Sequence, residues 1–182
     1  MRVLVAEDSS SERLIVTALL KRRGYEVVEA PVYSHVVYDI VPDEKVVVSG
    51  ADIVITGRVT DAAVTCGPAA WHHGWARDDW DALAGAVVAG HVIECSGQTT
   101  GGNYSFFTEV PGMERLGFPW AEIAADGSSV IGKHDGTGGQ VSVGTVTSQL
   151  LYEIGGPRYL GPDVTARFDT IALEQIEPDR VR

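Results

Sequence analysis

Apolar residues along the chain come in short blocks broken by glycine, proline and acidic positions, the pattern of alternating strands and helices. Val3 to Ala6 is an apolar run suited to a buried strand. Asp8 and Ser9 offer N-cap oxygens, Leu14, Ile15, Ala18 and Leu19 recur at helical spacing, and Gly24 supplies a stop. Tyr25 to Glu29 reads as a second strand, so residues 1–30 form a β-α-β unit. The character changes at Pro31: Val32 to Ile40 is rich in β-formers, Pro42 to Lys45 is a turn, and Lys45 to Val48 and Ala51 to Thr56 are strand-like. Gly67 and Pro68 interrupt whatever begins at Thr60.

The clearest helix is Asp78 to Cys95. Trp80, Leu83, Ala84, Val87, Val88 and His91 form one stripe, and Asp78 or Asp79 is placed to cap it. Ala121 to Ala125 and Ser129 to Gly132 flank Asp126-Gly127, a hairpin signal. A helix is expected from about Val143 to Ile154, stopped by Gly155-Gly156-Pro157, and Thr165 to Ile176 reads as a last strand. Together these predict an α/β fold: a mixed sheet with flanking helices, in a chain that reads as an incomplete domain.

The chain has 182 residues, 45% of them hydrophobic and 21% charged, which is the make-up of a folded protein rather than a disordered or fibrous one. Its formal net charge of −11 argues against nucleic acid and against an anionic membrane surface as partners. Two cysteines, Cys66 and Cys95, are too few for a disulfide framework, and a reducing cytoplasm is the expected compartment. No apolar run reaches the roughly 20 residues that span a bilayer, and the N-terminus lacks a signal-peptide pattern.

Two glycine-rich loops are the first candidates for chemistry. Lys133 to Gly139 lies between a strand and a helix, where Thr137, Gly138 and Gly139 can turn amides toward an anion, with Lys133 adding charge. Thr99, Thr100, Gly101, Gly102 and Asn103 follow the long helix and offer hydroxyls, an amide and bare backbone to a polar group. The plain alternatives are a strand-to-helix turn for the first and a C-cap with an Asx turn for the second. Arg58 and Asp61 follow a buried strand, where ligands of α/β sheets collect; Arg58 would clamp an anion, and Asp61 would act as an acid/base or as a cap. Glu94 is a candidate general base at the end of the long helix. His91 and Cys95 share a face, but no third ligand has a recognisable spacing, so no metal is expected there and His91 reads as a core histidine. A helix C-terminus also raises a thiol pKa, against a nucleophilic Cys95. His72 and His73, beside Trp71 and Trp75, read as a loop surface or core edge.

Two resemblances divide the chain. Arg2-Val-Leu-Val-Ala-Glu7-Asp8, the helix after it and Tyr25 to Ala30 resemble the start of a response-regulator receiver domain. Glu7 and Asp8 match its acidic Mg²⁺ pair. The phosphoacceptor position falls on Gly57, which has no nucleophile, so phosphotransfer does not carry over. The later part is similar to the acyclic terpene utilisation, AtuA-like, family. The resemblance rests on Gly50 to Asp61, Gly90 to Cys95, Gln98 to Gly102, Gly117 to Pro119, Gly136 to Gly139, Gln149 to Ile154 and Pro162 to Val164, in the family's order. It implies breakdown of acyclic isoprenoids such as citronellol or geraniol, with an isoprenoid acid or its CoA thioester as substrate; the residues themselves show no motif that requires a cofactor. The organisation expected is therefore a receiver-like fragment over 1–30, a junction over 31–48 and an AtuA-like segment over 49–182. An acidic small molecule is the expected partner, with self-association as a further expectation. The alternatives are a degenerate receiver module and an inactive chimeric fragment.

Overall fold

The computed structural model describes residues 1–6, 9–30, 52–57 and 60–182. The junction 31–48, Glu7, Asp8, His35 and Arg58 lie outside the described residues.

Strand β1 (Arg2–Ala6), helix α1 (Ser10–Arg22) and strand β2 (Glu26–Ala30) form the expected β-α-β unit. Ser9 caps α1, its hydroxyl accepting the Glu12 amide. Strand β3 (Ile53–Thr56) pairs on the other side of β1, so the parallel sheet runs β2-β1-β3, with Leu4 level with Val28 and Val54. A strand of the later segment thus completes the sheet begun by the first thirty residues. Val3, Leu4 and Val5 are buried. The stripe Leu14, Ile15 and Leu19 on α1 is exposed, and Thr17 is the residue of that helix that is buried. Periodicity marks an apolar stripe but not what covers it.

Helix α2 (Ala63–His73) runs through Pro68, where the sequence predicts an interruption. Pro68 deprives the Val64 carbonyl of its helical donor. Both residues are on the exposed side, where solvent can take that donor's place. Helix α3 (Trp80–Ile93) is the long helix expected. Its N-cap is Asp79, whose carboxylate accepts the Ala76 amide. Cys66, Ala69 and Ala70 of α2 pack on Leu83, Ala86 and Val87 of α3, small side chains that allow close approach. At Gly90 the helix lies directly on the Ala62 carbonyl, leaving no room for a Cβ. Trp80, the first residue of α3, does not join the buried stripe; it is exposed.

Strands β4 (Pro119–Ile123) and β5 (Ser129–Lys133) form the predicted hairpin, its turn held by Asp126, which accepts the Ser128 amide and hydroxyl. Helix α4 (Val143–Leu150) starts in a Ser142/Thr145 capping box and ends sooner than expected, Glu153 adopting a left-handed φ of 55°. The expected single strand from 165 to 176 is broken. Strands β6 (Arg158–Leu160) and β7 (Thr165–Arg167) form a hairpin, Phe168–Thr170 is a 3₁₀ turn, and β8 (Gln175–Glu177) follows. The break turns Phe168 inward onto His91 and Tyr159, while Arg167 and Asp169 form a bidentate pair outside. Strand β9 (Arg180–Val181) closes an antiparallel sheet of order β4-β5-β9-β8. The molecule is α/β, with four helices among the described residues.

Candidate functional site

The two glycine-rich loops meet. The Gln140 amide donates to the Thr100 carbonyl at 2.9 Å, and Asn103 Nδ2 donates to the Ser148 carbonyl of α4 at 3.2 Å. Their amides, however, are already engaged. Gly101 donates to Gln98 O, Gly102 to Gly97 O, Gly138 to Arg115 O and Gly139 to Pro111 O. The expectation that these four N–H groups point at an anion is corrected: close backbone packing consumes them. Thr99 and Thr100 are fully buried, their hydroxyls donating to the carbonyls of Val92 and of Gly117. Thr137 donates to His134 O. At Gly138 a Cβ would overlap the Gly112 carbonyl, so this glycine serves the contact between loops.

The start of α4 is occupied by the chain's own carboxylate. Asp179 Oδ1 accepts the Val141 amide at 2.8 Å, Gln175 Oε1 accepts the Val143 amide at 3.1 Å, and Lys133 Nζ lies 3.6 Å from Asp179 Oδ2 and donates to Thr137 O. A carboxylate at a helix N-terminus is favourable for the same reason a ligand anion would be. Neither Asp179 nor Gln175 is marked by the sequence; only an acidic residue in a tight turn hints at it.

The second cluster lies where α3 ends. His91 is fully buried, with Nε2 donating to the Gln149 main-chain carbonyl at 3.1 Å and Nδ1 lying 3.1 Å from Glu94 Oε1. Gln149, also fully buried, returns a bond from Nε2 to the His91 carbonyl at 3.2 Å, and its side chain reaches the Cys95 thiol. The rings of Tyr159 and Phe168 pack against His91. Burial raises the Cys95 thiol pKa; a hydrogen bond from the Gln149 side chain lowers it in part, and Glu94, Glu153 and Asp61 each add a smaller upward push. Burial, then Glu94 and Asp61, likewise raise the Tyr159 phenol. The structure therefore brings the two catalytic candidates, Glu94 and Asp61, to the same neighbourhood. The N-cap of α2 is Ala62 rather than Asp61. Cys66, deeper in the core, is pushed up to about 12 by burial and by Asp163. Among the described residues no three His, Cys, Asp or Glu side chains form a metal cluster. His72 and His73 sit at the end of α2 and not in a loop; His73 Nε2 donates to the Ile123 carbonyl at 2.9 Å and its ring stacks on Trp75.

The third feature is a groove of about 450 Å³ between α3, strands β5 and β9, and the segment 164–173. Val88, Val92, Ile131, Leu150, Ile171 and Leu173 line it, with Arg167 and Arg182 among its polar contacts. It uses the stripe of α3 next to the one that carries His91 and Glu94. Phe168 packs into both core clusters and on His91, which places its ring between the groove and the polar cluster. No local motif announces the groove, because its walls come from distant parts of the chain.

An α/β chain with a buried polar cluster beside an apolar groove defines a broad class. Within it, the chain belongs to the acyclic terpene utilisation protein family AtuA, whose model matches residues 44–182. A pantothenate kinase from Nocardioides sp. (strain ATCC BAA-499 / JS614) is 58% identical over 43 residues, which cover 21% of this chain and 13% of that protein. The chain thus spans a small part of that curated relative. No solved structure matches it. No helix among the described residues is long and apolar enough to cross a membrane.

Proposed function

We propose that the protein serves acyclic terpene utilisation by binding an acyclic isoprenoid acid, or its CoA thioester, in the groove beside α3. Membership of the family supports the pathway. The observation that carries the ligand is the groove itself. Its volume of about 450 Å³ lies within the roughly 300–1,000 Å³ of small-molecule sites, and branched aliphatic side chains dominate its walls. A branched hydrocarbon chain buries against such walls at about 25 cal/mol per Å². Arg167 and Arg182 are the groups offered to a carboxylate or thioester head; each is held in place by an acidic partner, Asp169 and Glu174. Glu94 and Asp61, on the neighbouring face, remain the proposed acid–base pair of the protein.

Calorimetric titration with geranic acid, decanoic acid and geranyl-CoA tests this. Saturable binding of a branched ligand, weakened at least tenfold by Val88→Asp, is the expected result. Equal affinity for all chains in wild type and Val88→Asp would overturn it.

A further inference from the structure

The groove beside α3 changes character along its length. At the start of α3 it is lined by Trp80, Asp81 and Ser128, all exposed; the hairpin turn reaches that end of the helix because Gly127 packs on Ala82. Toward the end of α3 the lining is Val92, Ile131, Val146 and Leu150, all buried. The bonds between His91 and Gln149 hold α4 against that part of α3. Val141 joins the same core cluster without lining the groove, so packed side chains back the buried end. An amphiphile placed here lies with its hydrocarbon toward Val92 and Leu150 and its head group on the open, polar side.

The charges on the open side bear on which head fits. Among the described residues, Arg167, Arg182 and Asp81 are the charged groups lining the groove. Arg167 is already engaged by Asp169, which accepts from Nε at 2.8 Å and from Nη2 at 2.7 Å. Arg182 Nη2 lies 3.6 Å from Glu174 Oε2. Arg158 also acts on Asp169, but it lines no part of the groove. With these partners counted, the open side carries no surplus of positive charge, and the whole chain carries −11. The start of α3, which could otherwise favour an anion, already holds Asp78, Asp79 and Asp81. A carboxylate head brings a single charge and can share the remaining N–H groups of an arginine fork. A CoA thioester brings a pyrophosphate and a phosphomonoester, the latter alone about −1.5 to −2. Nothing lining the groove is left over to neutralise them.

We propose that the groove takes the free isoprenoid acid, hydrocarbon inward, and discriminates against its CoA thioester, with Asp81 and Asp169 as the discriminating charges. The proposal rests on the groove being the ligand site and narrows what that site accepts.

Three probes separate the charge of the nucleotide from the thioester itself: geranic acid, its thioester with N-acetylcysteamine, which has no phosphate, and its thioester with CoA. Calorimetric titration of each at low and at high salt is the experiment. The acid and the short thioester are expected to bind, the CoA thioester at least tenfold more weakly, with a gap that narrows as salt screens the carboxylates. Asp81→Lys should narrow the gap at low salt. A circular-dichroism melt checks that this variant is folded; if it is not, Asp169→Asn, which frees Arg167, replaces it with the same expectation. CoA-thioester binding as tight as that of the acid would overturn the discrimination and leave the groove as the ligand site. A gap that neither salt nor the folded variant changes would overturn the role of the charges. Failure of all three probes to bind would overturn the groove reading and this proposal with it.

Discussion

Asp179 and Lys133 face each other at the start of α4, 3.6 Å between Oδ2 and Nζ, with the other Asp179 oxygen on the Val141 amide. The place where the sequence predicts a bound anion is thus filled from within. Asp179 holds a left-handed φ of 59°, which asparagine tolerates nearly as well. Asp179→Asn therefore isolates the charge. It should lower stability by about 1–2 kcal/mol, a charge-assisted bond discounted for the half-open carboxylate. Urea unfolding of the two proteins gives the difference, and an unchanged midpoint would show that the ion pair contributes nothing.

Gly138 is a structural glycine. Its amide bonds Arg115 O, and a Cβ would run into the Gly112 carbonyl. Gly138→Val is expected to destabilise the fold by about 1–3 kcal/mol or more, as overpacking does. The sequence alone implies a loss of ligand binding with little change in the melt; a melt shift would confirm the packing role.

The thiol of Cys66, pushed up to about 12 from an ordinary 9.0, links stability to alkaline pH. A folded-state pKa raised above the unfolded one favours the protonated folded form. The stabilisation is complete below pH 9.0 and is lost as pH climbs toward 12. Between those limits the unfolding free energy should fall by up to about 1.4 kcal/mol per pH unit on this account. Cys66→Ala should be less stable at neutral pH yet show a flatter decline. Parallel pH profiles for both proteins would contradict this. Cys95, raised as well, should alkylate slowly at neutral pH.

Acetyl phosphate should leave the chain unmodified. Gly57 follows β3 where a receiver domain would carry its phosphoacceptor, and glycine has no nucleophile. A phosphoryl mass shift mapped to residues 52–61 would be the contrary outcome.

Local signals were legible and nonlocal ones were not. The unit β1-α1-β2, helix α3 and the Asp126 turn follow from apolar spacing and turn chemistry, which act over a few residues. Helix α2 escaped because Pro68 reads as a breaker, although its missing bond falls on the solvent side. The strand expected over 165–176 failed because Phe168 is drawn to His91, a contact spanning most of the later chain. In the same way the meeting of the two glycine loops was visible as two matching motifs, but the carbonyls that consume their amides were not. Gln149 could have been noticed as a polar residue beside Val146 and Leu150 on the buried face of α4; its pairing with His91, 58 residues away, could not.

The central claim is that the groove beside α3 receives the isoprenoid chain. A crystal structure after soaking with geranic acid tests it most directly. The hydrocarbon is expected between Val88, Val92 and Leu173, with its carboxylate at Arg167 or Arg182. Ligand seated elsewhere, or an empty groove at saturating concentration, would contradict it.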